Sequence, residues 1–282
     1  MSPVWQLARL NARVAGLALR GRWLEPGDVA AGYDRAASTY EAVWLAHLRR
    51  TTDALLCQLP SGLTGTILDL GGGTGYAAQH LAAANVNSTV VAVDVSPEML
   101  NRARTRAPAN LRCVVSDMLA YVRAQADGSA RLIVSTWALG YSQPARLFRE
   151  CHRLLTPGGM LVFIVNYADT LAPVFRAFRR CMLQFPHRVR LAARPRFPRD
   201  WPWLRRALLQ SRFDVAWHQD GRLEIGPPAG GLLPWLRQTG ILAGFDAMLD
   251  LSAPADAFFE AEIARDRRPL VHHFAMVVAR KT

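Results

Sequence analysis

Residues 66–75 read Thr-Ile-Leu-Asp-Leu-Gly-Gly-Gly-Thr-Gly, and they constrain this chain more than any other stretch. A short apolar run of strand composition ends in four glycines within five positions. Residues 75–84 then follow with a helical pattern. Glycine lets the backbone turn sharply and lets a ligand approach without meeting a Cβ. A strand, a glycine turn and a helix form the first half of a βα unit. Ligands in such sheets bind at the carboxyl ends of the strands.

The following sequence continues that rhythm. Residues 89–94 (TVVAVD) are β-branched and apolar, as a strand buried on both faces should be. Ser96-Pro97-Glu98 then starts a helix: the serine caps, the proline fits the first turn and the glutamate suits the positive end. Residues 111–116 and 131–136 are the next strands, 144–155 a helix and 160–166 a fifth strand. Five strands separated by helices predict an α/β fold with a parallel, doubly wound, Rossmann-like sheet. A final strand is expected at 272–281.

Acids stand at three of these strand ends. Asp69 immediately precedes the glycines, Asp94 ends the second strand and Asp117 follows the third. Asp94 suits bidentate bonding of ribose hydroxyls, and Asp117 lies where an adenine amino group would be met. Gly73-x-Gly75-x-x-Ala78 also fits a relaxed dinucleotide pattern, with Asp94 at the matching distance. On spacing alone the two cofactor types are not separated. Asp69 shifts the balance, because a carboxylate there would repel a pyrophosphate and suit an ammonium or sulfonium.

The stretch from Ile67 to Val165 resembles the class I S-adenosylmethionine-dependent methyltransferases, especially the group that includes the ubiquinone and menaquinone biosynthesis methyltransferases. ILDLGGGTG, VVAVDVSPEML and VVSDML match that family's first three motifs in order. RLLTPGGMLVF matches its later helix-loop-strand, and GYDRAASTYEAVW resembles its N-terminal helix. One departure is Arg131, where the family often has an acid. The resemblance implies a seven-stranded sheet of order 3-2-1-4-5-7-6 with the seventh strand antiparallel. It implies a cofactor set of Tyr40, Asp69, Gly71, Gly73, Thr74, Gly75, Asp94, Val95, Met99, Asp117, Met118 and Ser135. Within that set, Asp94 would bind the ribose, Met118 would pack on the adenine and Tyr40 would lie over the cofactor.

Methyl transfer from a sulfonium is an in-line displacement, served largely by alignment. A general base is needed only when the acceptor must lose a proton. The acceptor should sit beyond the fourth strand, along residues 135–141 (STWALGY), which hold no acid. Tyr141 and His218 are the candidate proton acceptors, and both residue types more often serve structure. Tyr33, Trp137, Tyr141, Asn166 and Tyr167 are the candidate pocket walls. The expected acceptor is a small hydrophobic or aromatic molecule, methylated on oxygen, carbon or nitrogen. An NAD-dependent oxidoreductase and a non-catalytic cofactor-binding protein are the alternatives.

After Tyr167 the rhythm breaks. Residues 61–167 and 232–282 are read as the sheet domain, 1–60 as an N-terminal helical extension and 168–231 as a basic, aromatic-rich cap insert. A hairpin is expected around Asp220-Gly221, a helix at 232–238 and a strand near 245–251. Residues 168–212 hold eleven arginines (176, 179, 180, 188, 190, 194, 196, 199, 205, 206 and 212) against Asp169 and Asp200. That excess is most of the chain's net charge of +12, nearly all of it arginine, since Lys281 is the only lysine. A solvated cap accounts for it, as does an anionic membrane surface or an arginine clamp on a small anionic substrate. Nucleic acid ranks lowest, because no recognised RNA module is appended. Residues 3–24 read as a basic amphipathic helix, packing on the main domain or, as the sharper alternative, lying on a membrane.

The cysteines at 57, 113, 151 and 181 have no metal-ligand or redox spacing, so reduced thiols in a cytoplasmic protein are expected, with no metal. No signal peptide is evident. The oligomeric state is open.

Overall fold

The computed structural model describes residues 3–194, 197–226 and 231–282. In chain order the elements begin with helices α1 (Pro3–Leu19), α2 (Pro26–Tyr40) and α3 (Ala46–Leu56), the last two joined by a π-helical turn at Glu41–Leu45. Then come β1 (Gly65–Leu70), α4 (Tyr76–Ala84), β2 (Ser88–Asp94), α5 (Pro97–Arg104), β3 (Leu111–Val115), α6 (Met118–Ala124), β4 (Ala130–Thr136), α7 (Pro144–Leu154) and β5 (Leu155–Asn166). The rest comprises α8 (Ala172–Gln184), α9 (Trp201–Gln210), β6 (Phe213–Ile225), α10 (Leu232–Thr239), α11 (Phe245–Met248), α12 (Ala255–Arg265) and β7 (Leu270–Lys281).

The seven strands form one sheet of order β3-β2-β1-β4-β5-β7-β6. Strands β1 to β5 pair in parallel, and β7 runs antiparallel to β5 from Met160↔Arg280 to Asn166↔Phe274. The expected fold and strand order are thus those observed. β1, β2, β4 and β5 are buried on both faces over most of their length, which explains their continuous apolar runs. α7 buries Pro144, Leu147, Phe148, Cys151 and Leu154, an i, i+3, i+4 face. Phe148 stacks on Phe163 of β5, with centroids 5.4 Å apart.

The chain divides into two compact units. The sheet unit comprises 45–170, 196–222 and 273–282; the helical unit comprises 1–44, 171–195 and 223–272. In the sheet unit, one core runs from Leu68 and Leu70 through Met118, Leu147, Phe163 and Tyr167 to Leu204, Phe213 and Val277. In the helical unit, α8 packs on α1 and α12, and α10 and α11 pack on α2. Leu17, Val29, Val174, Phe178, Leu236 and Phe259 are buried there.

Two local expectations are corrected. Asp220-Gly221 makes no hairpin: β6 runs unbroken from Phe213 to Ile225, and neither residue takes the positive φ that a two-residue turn requires. Gly221 has another role. A Cβ there would lie 2.3 Å from the Phe274 ring, so glycine admits an aromatic neighbour. The strand expected near 245–251 is largely α11. Phe245 turns onto Phe175 and Phe178, and only Leu249 makes a β-bridge, to Val189.

These corrections bear on the organisation. The stretch 168–231, read as an insert, supplies the sheet with its sixth strand. Its α9 packs on α7 in the sheet unit. Its first part, with α8, belongs to the helical unit, as do residues 232–272. The first helix ends at Leu19 rather than near residue 24.

Candidate active site

The glycine turn leaves β1 at the carboxyl edge of the sheet. The amides of Gly71 and Gly72 both donate to the Val93 carbonyl, at 2.7 and 3.0 Å, which ties the turn to β2. Gly71 has φ +77°, and a Cβ there would lie 2.1 Å from the Ala138 side chain that follows β4. Gly73 has φ +54° and open space where its Cβ would stand, so its backbone is approachable. Thr74 is buried, and Gly75 caps α4 in the left-handed conformation.

Asp94 closes β2 over this turn. Its Oδ2 accepts the Gly73 amide and its Oδ1 the Ser96 amide, each at 2.9 Å. The carboxylate is therefore held beside the turn by two backbone donors. Val95 is half-buried beside it, and Met99 is buried in α5, whose first turn Ser96 caps. Asp117 caps α6 by accepting the Ala120 amide at 2.9 Å, and Met118 begins that helix, 8% exposed.

Asp69 is fully buried, and the Ala78 amide is the one backbone donor that acts on its carboxyl, without reaching good hydrogen-bond geometry. Burial, and then the charge of Asp94, push its pKa up to about 7, with slight relief from the Ala78 amide. An ionisable group left so in the interior is costly unless a cation or donor meets it. This is the observation that tests the fit of a cofactor. A ligand carrying an ammonium and a sulfonium supplies positive charge near that acid; a pyrophosphate would add to the repulsion.

The acceptor side follows β4. Ser135 is buried and its hydroxyl donates to the Leu70 carbonyl at 2.7 Å, so it ties β4 to β1. Trp137 adopts φ +66°, a conformation strained for any residue but glycine. Contacts on both backbone and ring hold it there. Its amide donates to Ile164, its indole N–H donates to Thr52 at 3.1 Å, and its ring meets Phe274 edge-on at 4.9 Å. The chain then makes a 3-10 turn, Leu139–Tyr141, in which Tyr141 is half-buried. Phe197 lies against Gly140, 2.2 Å from where a Cβ would stand. Trp137, Phe197 and Phe274 thus give this edge an aromatic wall.

At the ends of β5, β6 and β7 lies a polar cluster. The buried Tyr167 hydroxyl donates to Asp220 Oδ1 at 2.5 Å, and the same oxygen meets His218 Nε2 at 3.0 Å. Burial, then the bond to Asp220, push the Tyr167 phenol well up. The His218 ring stacks on Trp201 at 3.5 Å, within 5° of parallel. His273 Nδ1 pairs with Asp169 at 2.8 Å, and its ring meets Tyr167. Asn166 accepts from Thr170. Sequence reasoning named His218, Asn166 and Tyr167 but missed Asp220, Asp169 and His273. The Asp220-Gly221 pair carries the composition of a turn, which masks Asp220 as a site residue. Its signal was present: His218 and Asp220 are two apart on a strand and share a face.

Tyr33 and Tyr40 belong to the helical unit. Their rings meet edge-on at 6.2 Å, and Tyr33 lies against Gly240. The arginine-rich stretch is partly neutralised by acids distant in sequence. Arg176 pairs with Asp266, Arg180 with Glu262, and Arg188 and Arg190 with Asp250. Arg199 pairs with its neighbour Asp200. Arg196 lies outside the described residues.

Residues 67–159 match the family model of a methyltransferase domain. A malonyl-[acyl-carrier protein] O-methyltransferase of Halorhodospira halophila is 35% identical over 162 residues, which are 52% of this chain and 54% of that protein. One of Enterobacter lignolyticus is 32% identical over 167 residues, 59% of this chain and 64% of its own length. The chain therefore spans between half and two thirds of the length of these relatives. Among solved structures, the YcgJ protein of Bacillus subtilis superposes with a TM-score of 0.53 at 15% identity, over 84% of this chain and 98% of that one. Geranyl diphosphate C-methyltransferase of Streptomyces coelicolor superposes at 0.51 with 17% identity, over 83% and 76%. At these identities the likeness is one of fold.

Proposed function

We infer that this chain, a class I S-adenosylmethionine-dependent methyltransferase by its fold and ordered motifs, transfers the methyl group of that cofactor to a small acceptor. The carrying observation is Asp69, a fully buried acid at the glycine turn, in line with the strand-end acids Asp94 of β2 and Asp117 after β3. When bound, the cofactor supplies an electrophilic methyl on a sulfonium. The chain's own part is to hold and align. Asp94 would accept the ribose hydroxyls, Asp117 with Met118 would meet the adenine, and the open backbone at Gly73 would allow close approach. Asp69 would answer the positive charge. Thr74, Gly75, Val95 and Met99 would support the turn and the ribose side, and Ser135 would brace β4 against β1.

The acceptor lies, in this reading, against Trp137, Tyr141, Asn166 and Tyr167, and has an apolar part that suits the aromatic edge. Its attacking atom is an oxygen that is already anionic, a carboxylate. Residues 135–141 offer no acid to take a proton, and a carboxylate needs none taken. Similarity to proteins named malonyl-[acyl-carrier protein] O-methyltransferase supports this choice. A carrier-bound or free acid of this kind is the proposed substrate. The hydrogen-bonded series Tyr167–Asp220–His218 favours a second reading, in which His218 or Tyr141 takes a proton from a hydroxyl or activated carbon.

Calorimetric titration with S-adenosylhomocysteine and, separately, NADH tests the cofactor. Tight binding of the former, weakened in Asp94→Ala, is expected. Binding of NADH alone would overturn the reading in favour of an oxidoreductase. Binding of S-adenosylhomocysteine without turnover of any acid acceptor would favour a non-catalytic binding protein.

A further inference from the structure

Helix α1 packs through one face and leaves the other to solvent. Leu10 and Leu17 are buried, Gln6 bonds Gln184 of α8, and the Arg13 guanidinium donates to the Val189 carbonyl at 2.9 Å. At 100° per residue these positions define the docked face. The opposite face carries Val4, Ala8, Ala12, Ala15 and Leu19, with Trp5 beside them, and all six are exposed. Val4 is 77% exposed, Trp5 67% and Leu19 89%. No charged residue falls on that stripe. An amphipathic helix on a domain surface turns its polar face outward, whereas here the outward stripe is apolar.

The charges lie along one flank and at the end of the helix. Residues 1–24 hold Arg9, Arg13, Arg20 and Arg22 and no acid. Arg22 and Leu24 share backbone hydrogen bonds with Ala192, which brings Arg194 over the Trp23 ring at 4.7 Å. Arg20, Arg22 and Arg194 are exposed, and none has an acidic partner among the described residues. α8 packs beside α1 and adds exposed Arg176, Arg179 and Arg180, two of which share their charge with acids of the same unit. A helix of 17 residues spans roughly 25 Å. No helix among the described residues is long and apolar enough to cross a membrane. An apolar stripe with Arg20, Arg22 and Arg194 exposed at its end, on a helix too short to span, is the pattern of an element lying in a lipid interface.

We propose that α1 docks the protein on an anionic lipid surface, its stripe from Val4 to Leu19 entering the headgroup boundary while Arg20, Arg22 and Arg194 meet lipid phosphates and carboxylates. An anionic surface is favoured over a protein groove by the charge: Arg20, Arg22 and Arg194 gather at the helix end with no acidic partner among the described residues.

The test is flotation of the full chain with vesicles of phosphatidylcholine containing phosphatidylserine, against phosphatidylcholine alone. Binding to the anionic vesicles is expected to be tighter by at least about tenfold and to weaken with salt. Arg20→Gln with Arg22→Gln lies beyond the end of α1 and reads the charge without touching its packing. It should weaken binding on the order of tenfold. Trp5→Ser with Leu19→Gln should abolish flotation while leaving the melting temperature and S-adenosylhomocysteine binding in place. Absence of flotation, or flotation indifferent to lipid charge and to both pairs, overturns the proposal. So does a stripe variant that converts a dimer to a monomer without any vesicle binding, which would make the occupant a second copy of this chain.

Discussion

Asp94 reaches across from the end of β2 to accept the amide of Gly73 at 2.9 Å, so one carboxylate both orders the glycine turn and faces the proposed ribose site. Replacing it with alanine removes the bonds to Gly73 and Ser96 together. Hydrogen bonds to a charged group contribute about 1.5–3 kcal/mol each. S-adenosylhomocysteine affinity should therefore fall by at least about tenfold in Asp94→Ala, measured by calorimetry. An unchanged affinity would remove Asp94 from the site.

Asp69 stores instability that a ligand would relieve. Its pKa rises from 3.8 to about 7 on folding, so between those values the folded chain holds a proton that the unfolded chain has released. Stability contributed by this group is present below pH 4 and is lost as pH rises toward and through 7, by about 4 kcal/mol in total. Asp69→Asn should therefore melt higher than the parent at pH 8, with little difference at pH 4. The same variant should bind S-adenosylhomocysteine more weakly. Melting curves at both pH values check the sign.

Gly71 and Gly73 both take positive φ, yet only Gly71 faces a neighbour. Gly71→Ala adds a clash with Ala138 to the backbone strain and should cost about 2–4 kcal/mol, lowering the melting temperature and displacing residues after β4. Gly73→Ala carries only the strain, about 1–2 kcal/mol, and should affect cofactor affinity more than stability. Equal melting temperatures for the two variants would contradict the packing described.

The acceptor's proton decides between the two catalytic readings. For a carboxylate acceptor, His218→Gln and Tyr141→Phe should change kcat by less than about tenfold, since no base is used. For an acceptor that must be deprotonated, loss of the operative base should lower kcat by about 10²–10⁴. Asp220→Asn distinguishes structure from catalysis further. It should destabilise the fold by about 1–3 kcal/mol through Tyr167 in either case, and change the pH–rate profile only in the second.

The parallel part of the sheet and its nucleotide end were legible in the residues because their signals are local. Continuous apolar runs reflect strands buried on both faces, Ser96-Pro97-Glu98 is a capping pattern, and the glycines at 71–75 answer the backbone at their own positions. The acids Asp69, Asp94 and Asp117 end or directly follow their strands, so their convergence follows from a parallel sheet alone. Beyond residue 167, tertiary structure decided the outcome. Asp220-Gly221 carries the local signal of a turn, yet β6 continues through it and Phe274, fifty-three positions on, fills the space beside Gly221. The arginines of 168–212 read as an uncompensated charge because their acids lie outside that window: Glu262 and Asp266 meet Arg180 and Arg176 when α8 and α12 pack together, and Asp250 meets Arg188 and Arg190 beside the Val189–Leu249 bridge. α1 read as amphipathic from its spacing, but which of its faces docks is a matter of shape against α8. Hydrophobic periodicity orders residues around a helix axis; only packing chooses the face that stays wet.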